Sequence, residues 1–460
     1  MTAPAGTPGA DPEPPHDPAH PGVTSTTAQP GERAASPAVP ASPAVPASPA
    51  VPASSASSVG PSFQRMWREL APLGRSATTG GYRRHAWTPA DGDCRAWFRE
   101  QAAARGLVHE EDRNGNQWAW YGDPRAGGAV VTGSHLDSVP DGGAFDGPLG
   151  VVSGFAALDG LRARGAAPAV PLAVVNFTDE EGARFGLACV GSRLTAGGLA
   201  PETARALRDA EGVSLATALE RAGRDPEAIG PDPERLGRIA AFVELHIEQG
   251  RSLVDTGHPV GVASAVWPHG RWRFDFTGEA NHAGTTRLDD RRDPMLTYAG
   301  TVLDAREQAR LAGALATFGK VAVEPNGVNA IPSVVRGWLD SRAPDEPTLD
   351  ALVTAIERAA AERGRREGVG VRTERESHTP LVEFDHTLRD QLAARLGGAP
   401  LLPTGAGHDA GILSGSVPTA MLYVRNPTGV SHAPAEFATE DDCAAGVAAL
   451  TDVLEGLACR

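Results

Sequence analysis

The segment GSHLDSVPDGGAFDGPLG places His135 and Asp146 in one short loop, directly after the apolar run Ala129-Val130-Val131. An imidazole and a carboxylate converging at the end of a buried strand are what a metal site in an α/β protein requires. Gly142, Gly143, Gly147 and Gly150 permit the tight backbone path that brings them together. Alone, the pair is matched by an ordinary Gly-rich turn, where His and Asp are common. Three further segments carry matching chemistry. VPLAVVNFTDEEG ends in Asp179-Glu180-Glu181, where adjacent carboxylates can point apart, one onto a metal and the other towards a water. IAAFVELHIEQG ends in His246, Glu248 and Gln249, and the run through Met421-Leu422-Tyr423-Val424 leads to His432 in VSHAPAEF.

Each of these groups needs a strand behind it. Leu172–Phe177 is a nearly continuous apolar run with β-branched members, broken only by Asn176, as a buried strand requires. Ile239 onward and Met421–Val424 read the same way. Four strands that each end in His, Asp or Glu fit an open α/β sheet, which gathers its site at the strands' carboxyl ends. Phe63, Met66, Trp67 and Leu70 form one helical stripe, and Val151, Phe155, Leu158 and Leu161 another. Strand, loop, helix, strand, acidic loop is the alternation of a doubly wound domain.

From about Gly261 to Ser377 the pattern changes. Strands are expected at Trp272–Phe276, Ala316–Val323, Val334–Leu339 and Val369–Arg375, and helices at Pro294–Ala312 and Leu349–Arg366. This βαββαβ order is the split-βαβ, ferredoxin-like arrangement. The fold class expected is therefore α/β, a doubly wound catalytic domain (61–260 and 378–460) with an inserted ferredoxin-like α+β domain (261–377). Residues 1–60 contain ASPAVP three times and few large apolar side chains, so they are expected to form a disordered Pro/Ala/Ser-rich extension.

The chain has 460 residues, enough for two domains with sizeable cores. A net charge of −15 argues against nucleic acid or an anionic membrane as partner. The four cysteines lie far apart with no CxxC spacing, which disfavours a disulfide framework or a Cys-zinc site and fits a reducing cytosol. No apolar run reaches the roughly 18 residues of a membrane span, and no signal peptide is apparent at the N-terminus.

GSHLDSVPDGGAFDGPLGV, TDEEGARFG, LHIEQG, ANHAGTTRLDDRRDP, NGVNAIP, LDSR, GAGHDAGILSG and GVSHAPAEF occur in this order. Together they resemble the carbamoylase and allantoate amidohydrolase branch of the dinuclear-metal aminoacylase/carboxypeptidase superfamily, from about residue 62 to the C-terminus. The resemblance implies two divalent metal ions per subunit, with zinc, manganese, cobalt or nickel suiting such ligands. It implies His135 and His246 on one metal, Glu181 and His432 on the other, and Asp146 bridging. Asp137 would orient His135. Glu180 would be the general base that takes a proton from the attacking water and passes it to the leaving nitrogen.

For the small-molecule ureido substrate, the resemblance points to the insert as a lid and dimerisation domain. His282 would stabilise the oxyanion from the partner subunit of a homodimer. Asn329 and Arg342 would bind the substrate carboxylate and flanking polar groups, Arg offering a planar fork. Gln249 and the Gly405–His408 loop would line the pocket. Two departures from the pattern are Arg287-Leu288, where many relatives have Pro-Met, and Ala435, where an acid is usual. The activity implied is hydrolysis of allantoate, with N-carbamoyl-L-amino acids as the alternative substrates.

Overall fold

The computed structural model describes residues 60–459. The extension expected over 1–60 lies outside these residues, apart from Gly60, which opens the helix Gly60–Leu70. In chain order, the first six strands are β1 (Val108–Glu111), β2 (Gln117–Tyr121), β3 (Ala129–His135), β4 (Leu172–Phe177), β5 (Ile239–Ile247) and β6 (Val260–Val266). They are followed by β7 (His269–Thr277), β8 (Asn281–His282), β9 (Leu315–Glu324), β10 (Ala330–Ile331), β11 (Val334–Arg342) and β12 (Gly370–Thr379). The last three are β13 (Val382–Glu383), β14 (Leu401–Thr404) and β15 (Thr419–Val424).

A nine-stranded sheet runs β1-β2-β4-β3-β5-β15-β6-β13, with β14 also paired to β6. Its centre, β4-β3-β5-β15, is parallel throughout. Every residue of β3, β4 and β15 is buried, which explains their unbroken apolar runs: strands covered on both faces have no polar side to alternate with. Successive side chains take opposite faces. Val130, Val174, Val243 and Leu422 meet a core with Met66, Phe155 and Leu450 from the helices Gly60–Leu70, Pro148–Ala163 and Glu440–Ala458. Val131, Val175, Phe242 and Met421 face the other core, with Trp118, Trp120 and Phe177. A one-residue slip would exchange the two sets, so packing fixes the register.

The chain leaves this sheet after β6 and returns at β13, which pairs with β6. Between them lies a four-stranded antiparallel sheet, β12-β7-β11-β9. Helices Pro294–Ala312 and Glu346–Glu367 cover one of its faces, packing Ala305, Ala309, Leu352 and Ile356 onto Phe274, Phe276, Val335 and Leu339. The longer helix starts where Asp345 caps the Thr348 amide and stops at Gly368 in the left-handed region. The strands extend beyond the segments read from periodicity, because backbone pairing continues past the last large apolar residue. Among the described residues no helix is long and apolar enough to cross a membrane.

Candidate metal centre

Parallel neighbours deliver their carboxyl ends to one edge of the sheet, and there the candidate ligands meet. β3 ends on His135, β4 runs into Asp179–Glu181, β5 carries His246 in its last turn of pleat, and the loop after β15 brings His432. Asp146 lies in the loop before the helix Pro148–Ala163, whose N-cap Gly147 has φ +83°. A Cβ at Gly147 would lie 2.4 Å from the His135 ring, so only glycine lets the Asp146 loop lie against that imidazole.

The two oxygens of Asp146 face different partners. Oδ1 is 3.1 Å from His246 Nε2 and 3.7 Å from His135 Nε2. Oδ2 is 3.3 Å from His432 Nε2, which in turn lies 3.7 Å from Glu181 Oε2. Two triads result, His135/Asp146/His246 and Asp146/Glu181/His432, each with its ligand atoms within 4.8 Å of one another. Nε2 of His135 and Nε2 of His246 are buried and lack a well-aligned hydrogen bond, although both approach Asp146 in distance. Orphaned imidazole nitrogens converging with carboxylate oxygens suit a divalent cation, and the N/O donor set suits zinc, manganese, cobalt or nickel. The other ring nitrogens are held by backbone carbonyls, His135 Nδ1 by Asp137 O at 3.2 Å and His246 Nδ1 by Ile247 O at 2.9 Å. These contacts fix the tautomers and aim Nε2 inward.

Asp137 ties the two loops together. Its carboxylate accepts from the amides of Glu180 (3.2 Å) and Glu181 (3.0 Å) and lies 3.5 Å from His135 Nδ1. Glu180 Oε1 accepts from the Cys189 thiol at 3.2 Å, while Oε2 faces His135 Nε2 at 3.6 Å. Asp179 and His432 adopt φ +57° and +56°, left-handed backbone that costs about 1–3 kcal/mol and persists where surroundings impose it.

Burial, reinforced by Asp409, Glu181 and Asp137, pushes the Glu180 carboxyl well above the usual range. Burial and Asp146 raise Glu181 to about 7. The Asp146 contact raises His432 to about 9. Burial opposes charge on Asp146 itself, but His246, His135 and His432 hold it well below an ordinary carboxyl. A divalent cation binds such a set by displacing its protons.

Gln249 donates to Asp146 Oδ2 at 2.7 Å, and Ser431 does so at 3.1 Å. His408 is buried edge-on against His246, with ring centroids 4.5 Å apart. The structure thus gathers His135, Asp137, Asp146, Glu180, Glu181, His246, Gln249, His408 and His432 into one cluster. Arg342 and Gly405 meet each other, the guanidinium donating to the Gly405 carbonyl. His282 and Asn329 are exposed on and beside the short β8–β10 ribbon. Among the described residues, no hydrogen bond joins either side chain to the cluster. Arg287 pairs with Asp290 at the surface (2.7 Å).

Three supporting carboxylates, Glu244, Asp409 and Glu436, carry no signal in the sequence. Buried Glu244 accepts from Ser134 Oγ (2.6 Å) and the Ala410 amide (2.9 Å), seating the His408 segment against β3 and β5. These bonds occupy both its oxygens, which makes the grouping Glu244/His246/His408 a poorer cation site than the two triads. Asp409 accepts from Ser192 Oγ at 2.5 Å. Glu436, beside Ala435, accepts from the amides of Phe145 and Asp146, fixing the loop that carries the shared carboxylate.

Fold and site together define an α/β protein with a carboxylate–histidine cluster fit for divalent metal at the carboxyl edge of its parallel strands. The chain belongs to peptidase family M20/M25/M40, whose profile matches residues 131–456. It is 38% identical to the N-carbamoyl-L-amino acid amidohydrolase of Geobacillus stearothermophilus over 84% of this chain and 96% of that protein. It is 32% identical to the allantoate amidohydrolase of Escherichia coli K12, over 82% of this chain and 93% of that one. Among solved structures it resembles a hydantoinase/carbamoylase family amidase from Burkholderia multivorans, with a TM-score of 0.77, 32% identity and coverage of 87% and 98%.

Proposed function

We propose that the chain is a dinuclear-metal hydrolase of a ureido C–N bond, acting on allantoate to give ureidoglycine or ureidoglycolate, ammonia and carbon dioxide. The observation that carries this reading is Asp146, whose two oxygens face two separate ligand sets. Metals held there would supply Lewis acidity that polarises the ureido carbonyl and acidifies a water. His135 and His246 would hold one ion, Glu181 and His432 the other, with Asp146 between. Glu180, enclosed and, among the described residues, unpaired with any arginine, takes a proton at Oε2 and returns it to the leaving nitrogen. Gln249 and His408 line the pocket, and Arg342 and Asn329 receive the carboxylate and its polar neighbours.

The four-stranded layer is proposed as an inserted ferredoxin-like lid and dimerisation domain. Its helix Pro294–Ala312 exposes Leu296, Leu303 and Leu311, and the edge strand β9 exposes Leu315 and Val321. An apolar helix stripe beside an open sheet edge supports pairing with a second copy. The exposed position of His282 supports a role in the partner's site.

Hydrolysis of N-carbamoyl-L-amino acids is the second reading, favoured by the 38% identity to the Geobacillus stearothermophilus protein. Steady-state kinetics separates the two. A pocket that hydrogen-bonds the second ureido group of allantoate should reject N-carbamoyl-L-leucine by about 10⁴-fold in kcat/KM. Comparable values, or a preference for the apolar substrate, would assign the chain to the second reading.

A further inference from the structure

β11 alternates strictly, its odd-numbered residues buried and its even-numbered ones half-buried. Asp340 and Arg342, two residues apart, therefore share the face turned away from the two helices. There Arg342 Nε donates to Asp340 Oδ1 at 2.8 Å and Nη2 donates to Oδ2 at 3.2 Å. This is a side-on, bidentate pair. Nη1 donates to the carbonyl of Gly405, in the loop that leads to His408. A guanidinium carries five N–H donors in a rigid fork. Three are engaged, and the remaining two sit one on Nη1 and one on Nη2, at the tip of the group.

We infer that Asp340 is a positioning and specificity-determining residue that makes Arg342 receive the substrate carboxylate end-on, through the Nη1/Nη2 tip, with reduced net attraction. The inference rests on the reading of Arg342 as the carboxylate-binding residue. Asp340 fills the side fork that a substrate carboxylate would otherwise take, and fixes the plane of the guanidinium. Its charge also opposes an incoming anion. Arg271 Nε, 3.6 Å from Asp340 Oδ2, shares that charge from the neighbouring strand. A carboxylate thus binds to a seated, partly neutralised arginine, which admits it and lets it leave.

The test compares allantoate and N-carbamoyl-L-methionine, each against its neutral methyl ester, with wild-type enzyme, Asp340→Asn and Arg342→Gln. Asparagine keeps the shape and one acceptor, and both positions are half-exposed, so the fold should survive; Asp340→Ser serves if it does not. Asp340→Asn should lower KM for the acids about two- to fivefold, the scale of a part-exposed ion pair, leaving KM for the esters and kcat unchanged. Arg342→Gln should erase the preference for acid over ester. If Arg342→Gln erases it but Asp340→Asn leaves the acid KM unchanged, or shifts acid and ester alike, the role of Asp340 is overturned and the Arg342 reading stands. If Arg342→Gln leaves the preference intact, Arg342 is not the carboxylate residue and both fall.

Discussion

Replacing Gly147 by alanine probes the centre without touching a ligand. The residue caps the helix Pro148–Ala163 at φ +83°, ψ −60°. A side chain there strains the backbone by about 1–3 kcal/mol. The new Cβ would also sit 2.4 Å from His135 Cε1, 2.5 Å from Nδ1 and 2.6 Å from Nε2. Carbon atoms prefer about 3.5–4.0 Å, so the ring must retreat by about 1 Å. The imidazole is fully buried, with Nδ1 held by Asp137, so it cannot simply rotate aside. Gly147→Ala should therefore lose about 2 kcal/mol of stability and at least about 100-fold in kcat/KM, the scale of a 1 Å misplacement. Metal analysis of the dialysed protein should show weakened binding on the His135 side, with circular dichroism unchanged at 25 °C. A variant with wild-type metal content and turnover would refute the packing of the Asp146 loop on His135.

Glu180→Gln should retain metal while kcat falls at least about 100-fold, the usual contribution of a general base; loss of metal with activity would exchange the roles of Glu180 and Glu181. The proposed crossing of His282 into a partner's site predicts that inactive His282→Ala and Glu180→Gln proteins regain activity on subunit exchange, because a mixed dimer would then hold one site with both native residues. No recovery despite proven exchange would mean that each site is completed within one chain. Asp91, whose carboxylate accepts from the Trp87 amide at 2.8 Å, is raised by burial to about 6 from 3.8. A raised acid is destabilising once ionised, so the cost is absent below pH 3.8, grows through about 6 and is full above it. Asp91→Asn should therefore stabilise the protein, and by about 1 kcal/mol more at pH 8 than at pH 5 in denaturant unfolding. Equal effects at both pH values would show that Asp91 ionises normally.

The metal-ligand candidates were legible because their chemistry coincides with strand ends, and strand ends are marked by where apolar runs stop. His135, Glu181 and His246 stand at or just past such ends, and parallel pairing of β3, β4 and β5 brings them together. The second layer was equally readable, since strict alternation in β11 and the capped helix Glu346–Glu367 leave local signatures. The supporting shell was not. Glu244 lies inside an apolar strand, and nothing nearby in sequence reveals that Ser134 and Ala410 satisfy it. Ser192 and Asp409 meet across 217 residues, and Glu436 meets Asp146 across 290. Such pairs are set by topology, which local periodicity does not encode. The exposure of His282 and Asn329 on and beside the β8–β10 ribbon was also beyond periodicity, because neither residue lies in a long apolar or alternating run.

If Asp146 is shared by two metals and turnover depends on them, metal titration of the stripped protein shows it most directly. Ammonia release from allantoate and N-carbamoyl-L-methionine would be followed as zinc or manganese is returned to wild-type and Asp146→Ala protein. A shared carboxylate requires no turnover without metal, activity that saturates near two equivalents per chain in the wild type, and neither tight metal binding nor turnover in Asp146→Ala. Turnover by the stripped protein, or an active Asp146→Ala variant that still takes up both ions, would contradict it.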